Sequence, residues 1–185
     1  MKRIVMICAI LLGICAPAAA DTGYVGAQLD VGAPDGAAVS IVFTPDWYWL
    51  KVPVSLTNNY FGFGWRVGAT LDPINWVIGP SLTFEYGEYR SLTVSPANDA
   101  LGKSGFDPVT IDYGYLNTHI GLEIGSPESV RVFIRGGYSV IWVATSDLRG
   151  FIDRDEVPGY VITSSAVEVS GVVPSVKIGM SLMLF

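Results

Sequence analysis

The side chains able to do chemistry in this chain are few, and nearly all of them sit between apolar neighbours. Acidic Asp30, Glu85 and Glu123, basic Lys51, Arg66, Arg131, Arg135 and Lys177, and the hydrogen-bonding Gln28, Asn117 and His119 each fall inside a stretch that alternates polar or small residues with apolar ones. Successive side chains of a strand point to opposite faces, so these residues share one face and the apolar residues the other. Charges withdrawn from water must be paired and hydrogen-bonded to avoid a large desolvation cost. The set therefore reads as a balanced network of mutually satisfied charges: a plug, or a gate if partners can be exchanged. His119, the only histidine, shares its face with Gly121 and Glu123. A histidine beside a carboxylate becomes a hydrolytic base when a serine completes the set, but no His-x-Ser pattern accompanies it and no catalytic residue is assigned. Asp153, Asp155 and Glu156 offer carboxylates suited to a hard cation; Arg154 interrupts them and the twelve-residue calcium-loop signature is missing. No zinc spacing, phosphate loop or nucleotide fingerprint occurs, so neither a metal nor a cofactor is expected.

Eight alternating segments must position these residues, over roughly 22–33, 36–45, 48–58, 61–72, 74–90, 109–125, 130–146 and 170–185. The connections Thr44-Pro45-Asp46-Trp47, Asp72-Pro73-Ile74-Asn75 and Gly125-Ser126-Pro127-Glu128 are rich in turn formers and read as tight turns. Two of the others, 91–108 and 147–169, are long. On the apolar face lie Leu29 and Val31, Val39 and Ile41, Val52 and Val54, Trp65 and Val67, Leu82 and Phe84, Ile120 and Leu122, and Ile134 and Tyr138, with no charge among them. A Lys or Arg at a lipid midplane costs ~2–4 kcal/mol, and a soluble barrel would carry the opposite polarity. Glycines recur on the polar face, among them Gly26, Gly64, Gly121 and Gly179, as expected where eight strands enclose a space just wide enough for side chains. Trp47, Trp49 and Trp76 fall near the tight-turn end, and Tyr60, Phe61, Tyr86 and Trp142 near the other, where amphipathic rings would meet the headgroups. The expected fold is all-β: an eight-stranded antiparallel up-and-down transmembrane β-barrel over residues 21–185.

Residues 1–20 read as a signal peptide, with Lys2 and Arg3 before the apolar run Ile4 to Ile14 and Ala18-Ala19-Ala20 as cleavage site. Both cysteines, Cys8 and Cys15, would leave with it, so no disulfide is expected. Without Lys2 and Arg3, nine basic residues face the 17 acidic ones and the formal charge moves from −6 to −8, which excludes nucleic acid as a natural partner.

The stretch Gly79-Pro80-Ser81-Leu82-Thr83-Phe84-Glu85-Tyr86-Gly87 and the closing segment up to Phe185 resemble the small outer-membrane β-barrel proteins of Gram-negative bacteria, the eight-stranded family of the OmpA transmembrane domain and OmpX-type barrels. The resemblance implies an integral protein of the cell outer membrane, surrounded by outer-membrane lipid and lipopolysaccharide, and recognised by the barrel-assembly machinery through terminal Phe185. In that assembly signal the alternate positions before the aromatic are apolar. Met183 conforms, but Ser181, Gly179 and Lys177 depart from it, and the apolar series runs instead through Leu184. The expected role is structural or interactive, as a monomer without enzymatic activity. A narrow, porin-like channel for water, ions or small solutes is the alternative, and a lipid-modifying enzyme the second.

Parity makes a sharp prediction for the sixth segment. Leu122→Arg should impair insertion into lipid by ~2–4 kcal/mol, whereas Glu123→Gln and, more mildly perturbed, Gly121→Ser should still assemble. Protease protection of the protein inserted into vesicles checks this; normal insertion of Leu122→Arg with failure of Glu123→Gln would reverse the faces.

Overall fold

Each alternating segment needs a neighbour on both sides to satisfy its backbone, and closure into a ring provides one for every strand without leaving an edge. The chain adopts that solution. The computed structural model describes residues 24–45, 49–59, 62–74, 76–94, 109–126, 128–145 and 167–184. The expected leader over 1–20, Trp47, Tyr60, Phe61, the acidic stretch Asp153 to Glu156 and Phe185 lie outside the described residues. Eight strands follow in chain order: β1 (Tyr24–Ala33), β2 (Gly36–Thr44), β3 (Leu50–Asn59), β4 (Gly62–Leu71), β5 (Ile78–Val94), β6 (Val109–Gly125), β7 (Val130–Thr145) and β8 (Val167–Met183). Each pairs antiparallel with the next, and β8 closes on β1 through Gly26↔Met183 to Ala33↔Val176. The all-β, eight-stranded antiparallel barrel expected from the alternation is the fold.

The strand bounds differ from the expected ones at three places. The fifth strand starts at Ile78 and not at 74: before it the Trp76 amide donates to Ile74 O at 2.8 Å, a local turn, and the Gly125 amide donates to Val77 O at 2.7 Å. The supposed long loops are also shorter than 91–108 and 147–169. Leu92–Val94 pair with Val109–Ile111 past a bulge after Tyr89, and Val167–Val169 pair with Val143–Thr145. Strands β5 to β8 have 16 or 17 residues against 9 or 10 in β1 to β4. One half of the barrel wall therefore extends beyond the other at the end opposite the tight turns, by ~20 Å at ~3.3 Å per residue.

The polarity of the wall is inverted relative to an ordinary globular protein. Leu29, Val39, Ile41, Leu56, Phe63, Ile120, Ile134 and Val172 are exposed on the outer face, while Gln28, Lys51, Arg66, Glu85, Asn117, His119 and Lys177 are buried inside. Val52 and Val67 keep the outward parity but are buried. The sixth strand shows the alternation at its sharpest: Leu122 is 49% exposed and Glu123 is 1% exposed. Hydroxyl pairs cross between strands on the inner face, Ser40 with Ser55 at 2.8 Å and Thr70 with Thr83 at 3.1 Å. Phe133 fills the lumen beside its β8 neighbour Gly179, where a Cβ would stand 2.5 Å from its ring.

Gly121 departs from the mild behaviour expected of it. A Cβ there would lie 2.5 Å from Arg135 Cγ and 2.6 Å from the Ile134 carbonyl oxygen. The backbone oxygen cannot yield as a flexible side chain would, so the residue faces a wall and not open polar space. Gly121→Ser should thus destabilise the barrel by ~1–3 kcal/mol, the range typical of overpacking. Urea unfolding in detergent micelles, followed by circular dichroism, checks this; an unchanged midpoint would show that Arg135 and β7 move aside freely.

Candidate functional site: the ionic plug of the lumen

Eight strands enclose an interior that side chains can fill, and here charged side chains fill it. All nine residues singled out from the sequence, Asp30, Lys51, Arg66, Glu85, His119, Glu123, Arg131, Arg135 and Lys177, lie buried in the lumen. They do not form one cluster but two, each built around an aspartate that the sequence places in a turn.

The first cluster lies toward the long-strand end. Arg66 on β4 donates to Asp30 at 2.6 Å and to Asp35 at 2.8 Å, and its Nε lies 3.4 Å from Glu85. Lys177 on β8 reaches Asp35 at 2.6 Å, Asp30 at 3.9 Å and, in a close contact, Glu85. Asn117 donates to Asp35 at 3.3 Å and to Glu85 at 3.4 Å, and Gln28 donates to Asp30 at 2.9 Å. Tyr89 and Tyr115, both fully buried, cover this end; the Tyr89 hydroxyl donates to the Asp35 backbone carbonyl.

The second cluster lies toward the tight turns. Lys51 and Arg131 each make a close ion pair, Lys51 with Glu123 and Arg131 with Asp72. Lys51 also lies 3.5 Å from Asp72, Arg131 lies 3.5 Å from Glu123, and Arg135 donates to Glu123 at 2.7 Å. Arg131 further donates to the Trp76 carbonyl at 2.6 Å, which ties the end of the β4–β5 connection to β7. The Arg135 guanidinium stacks 3.8 Å above the Phe133 ring, a favourable use of a cation that has desolvated one face.

Asp35 and Asp72 were missed by reading strands alone. Both belong to stretches that read as turns, Ala33-Pro34-Asp35-Gly36 and Asp72-Pro73-Ile74-Asn75, yet both are 0% exposed. A signal for them existed. The eight strand-borne charges are three acidic and five basic, so the set described as balanced lacks two negative charges. With Asp35 and Asp72 the described lumen holds five acidic and five basic residues. The cluster around Asp35 has three carboxylates against Arg66 and Lys177, and the one around Asp72 has two carboxylates against three cations. Their opposite net charges attract across the space between.

His119 acquires a neighbour that the sequence did not reveal. Its Nε2 lies 2.7 Å from Ser175 Oγ, and its Nδ1 lies 3.8 Å from Glu85. This resembles a serine–histidine–carboxylate set, but the hydrogen bonds run the wrong way. Ser175 Oγ donates its one proton to the Ala33 carbonyl at 2.8 Å, so in the neutral ring Nε2 must donate to the serine. A hydrolytic base needs its lone pair on the hydroxyl and its N–H on the carboxylate. Both side chains are also buried. The arrangement ties β6 to β8 and to the end of β1. Among the described residues, no group of three or more His, Cys, Asp or Glu could hold a metal ion.

The two clusters predict unequal responses to neutralisation. Glu123→Gln leaves Asp72 alone against Lys51, Arg131 and Arg135, so it should cost ~3–5 kcal/mol, as for removing one partner of a buried pair. This revises the expectation that the variant assembles freely. Glu85→Gln should cost less, because it leaves Asp30 and Asp35 matched to Arg66 and Lys177, and adding Lys51→Met to Glu123→Gln should recover part of the loss. Urea midpoints of the four proteins in micelles check the order; equal losses for Glu85→Gln and Glu123→Gln would contradict the two-cluster division.

Compared with known protein families, curated proteins and solved structures, the chain matches none.

Proposed function

We propose that this protein is an integral outer-membrane β-barrel with a structural or interaction role, its lumen held shut by the ion network. The inverted polarity of the wall carries this reading. In water the arrangement is unfavourable twice over, since it exposes a continuous apolar surface and buries ten charges. In hydrocarbon the outer face is at home and the closed ladder leaves no unpaired backbone group to lipid. Strands of 9 or 10 residues in β1 to β4 match the ~9–11 needed to cross a bilayer at a tilt. Exposed Trp49 and Trp76 lie at one end of this band. At the other, Trp65 packs on Tyr86 at 5.6 Å and Tyr86 on Trp142 at 5.8 Å, supplying a second interfacial girdle. Both barrel termini lie at the tight-turn end, which the reading places in the periplasm, with the extended half-wall outside among lipopolysaccharide. A secretory leader over 1–20, assembly by the barrel machinery, a monomeric state and the absence of catalysis belong to the same proposal.

A narrow channel is the second reading, favoured by one observation: Glu85 has Lys177, Arg66, His119 and Asn117 all within reach. A carboxylate with several partners can exchange them, and an exchange could open a water path.

The protein should run at different mobilities on gels before and after boiling, and should aggregate when detergent is withdrawn. A monodisperse, detergent-free monomer would overturn the membrane reading. In planar bilayers the closed plug predicts no steady conductance for the wild type, and currents that appear or change in Glu85→Gln would decide for the channel.

A further inference from the structure

His119 is buried in the plug with one ring nitrogen satisfied and the other not. Nε2 must donate to Ser175 Oγ, because that hydroxyl gives its own proton to the Ala33 carbonyl. The neutral ring then turns a bare lone pair at Nδ1 toward Glu85 Oε2, 3.8 Å away. Two acceptors face each other with no proton between them. A proton at Nδ1 converts that opposition into a charge-assisted hydrogen bond.

The same carboxylate oxygen already receives Lys177 Nζ and, at 3.4 Å, Asn117 Nδ2. Lys177 has a second place to go. It holds Asp35 at 2.6 Å, and Asp30 Oδ1, 3.9 Å from its ammonium, accepts no hydrogen bond. Each partner of the Lys177–Glu85 pair thus has another group within reach whose hydrogen-bonding capacity is unfilled. Charge acts in the same direction. Asp30, Asp35 and Glu85 exceed Arg66 and Lys177 by one negative charge, which an imidazolium cancels. The groups around the ring come from four elements. Glu85 of β5 and Asp35 of the β1–β2 turn favour its protonation, and Lys177 of β8 and Arg135 of β7 oppose it. Arg66 of β4 and Asp30 of β1 act on it through Glu85 and Lys177, which they approach directly. On β6 itself the nearest residues of the same face are Asn117 and Gly121, neither charged. An imidazole is the side chain that exchanges its proton on mild acidification.

We propose that the plug is a proton-driven switch: His119 takes a proton at Nδ1 and donates a hydrogen bond to Glu85, and Lys177 passes from Glu85 to Asp30. The proton comes from solvent, and no covalent bond besides N–H is made or broken. The switch rests on the lumen network and not on the membrane reading; its use as a gate rests on the channel reading.

His119 is the only histidine, so the ring-nitrogen NMR resonances of the labelled protein in detergent micelles report on it alone. At neutral pH one nitrogen should read as protonated and the other as bare, and acid should protonate the second while circular dichroism shows the barrel folded. Glu85→Gln should lower the midpoint by about one pH unit, since it removes the carboxylate that receives the new N–H. Asp30→Asn should lower it too, because Lys177 loses the acceptor it moves to. Ser175→Ala should shift the neutral ring's proton from Nε2 to Nδ1, where Glu85 is the acceptor left to it. A ring that stays neutral until the barrel unfolds, a midpoint unchanged in either carboxylate variant, or an Nε2 proton retained in Ser175→Ala overturns the switch. Should the carboxylate variants fail to fold, Ser175→Ala decides alone. Planar-bilayer currents that appear on acidification of the wild type and not of His119→Gln assign the switch to a gate. Silence at every pH removes the channel reading, and the ring titration still decides the switch.

Discussion

Ten charged side chains share a lumen that eight strands leave barely wide enough to be filled, and most of the architecture follows from that crowding. No cation in it is served by a single carboxylate, apart from Arg135, which adds the Phe133 ring to Glu123. Desolvated charges are stable only when their geometry is good and their remaining hydrogen-bonding capacity is met. Two turns must therefore bend inward to deliver Asp35 and Asp72. At the tight-turn end Arg131 holds both Asp72 and the Trp76 carbonyl. At the other end Tyr89 fixes the Asp35 backbone.

The ion pairs also do something the strand ladder does not. Ladder hydrogen bonds join neighbours around the ring, whereas the pairs run across it: Lys51 on β3 to Glu123 on β6, Arg66 on β4 to Asp30 on β1, and Lys177 on β8 to Glu85 on β5. A one-residue slip of any of the charge-bearing strands, all but β2, would turn its charge out of the lumen and an apolar residue in. The cross-links consequently select the register of strands that never touch. They are also contacts of long sequence separation, which form late and slow folding.

Inner and outer faces divide the work. The inner face contributes specificity of register and closes the lumen. The outer face carries the apolar band and, above it, the tilted ring contacts of Trp65 with Tyr86 and of Tyr86 with Trp142. Strands β5 to β8 supply the extended wall, so the two halves of the ring differ in length at the end opposite the tight turns.

The alternation of residues was enough to mark the eight strands and the facing of nearly every side chain, because side-chain period in a regular strand is two; only the irregularity after Tyr89 interrupts it. Leu122 outside and Glu123 inside follow from parity alone. Tertiary structure decided what parity cannot reach. Turn residues have no face until the chain closes, so Asp35 and Asp72 looked solvated although the missing negative charge called for them. Ser175 meets His119 because β8 brings it across the ring, 56 residues away in sequence, and the direction of its hydrogen bond depends on the Ala33 carbonyl of a third strand. Gly121 shows the same division: parity puts it inside, but only the packed position of Arg135 and the Ile134 carbonyl shows that no space is left there. Facing is a local property of the backbone; distance between side chains across a lumen belongs to the closed ring.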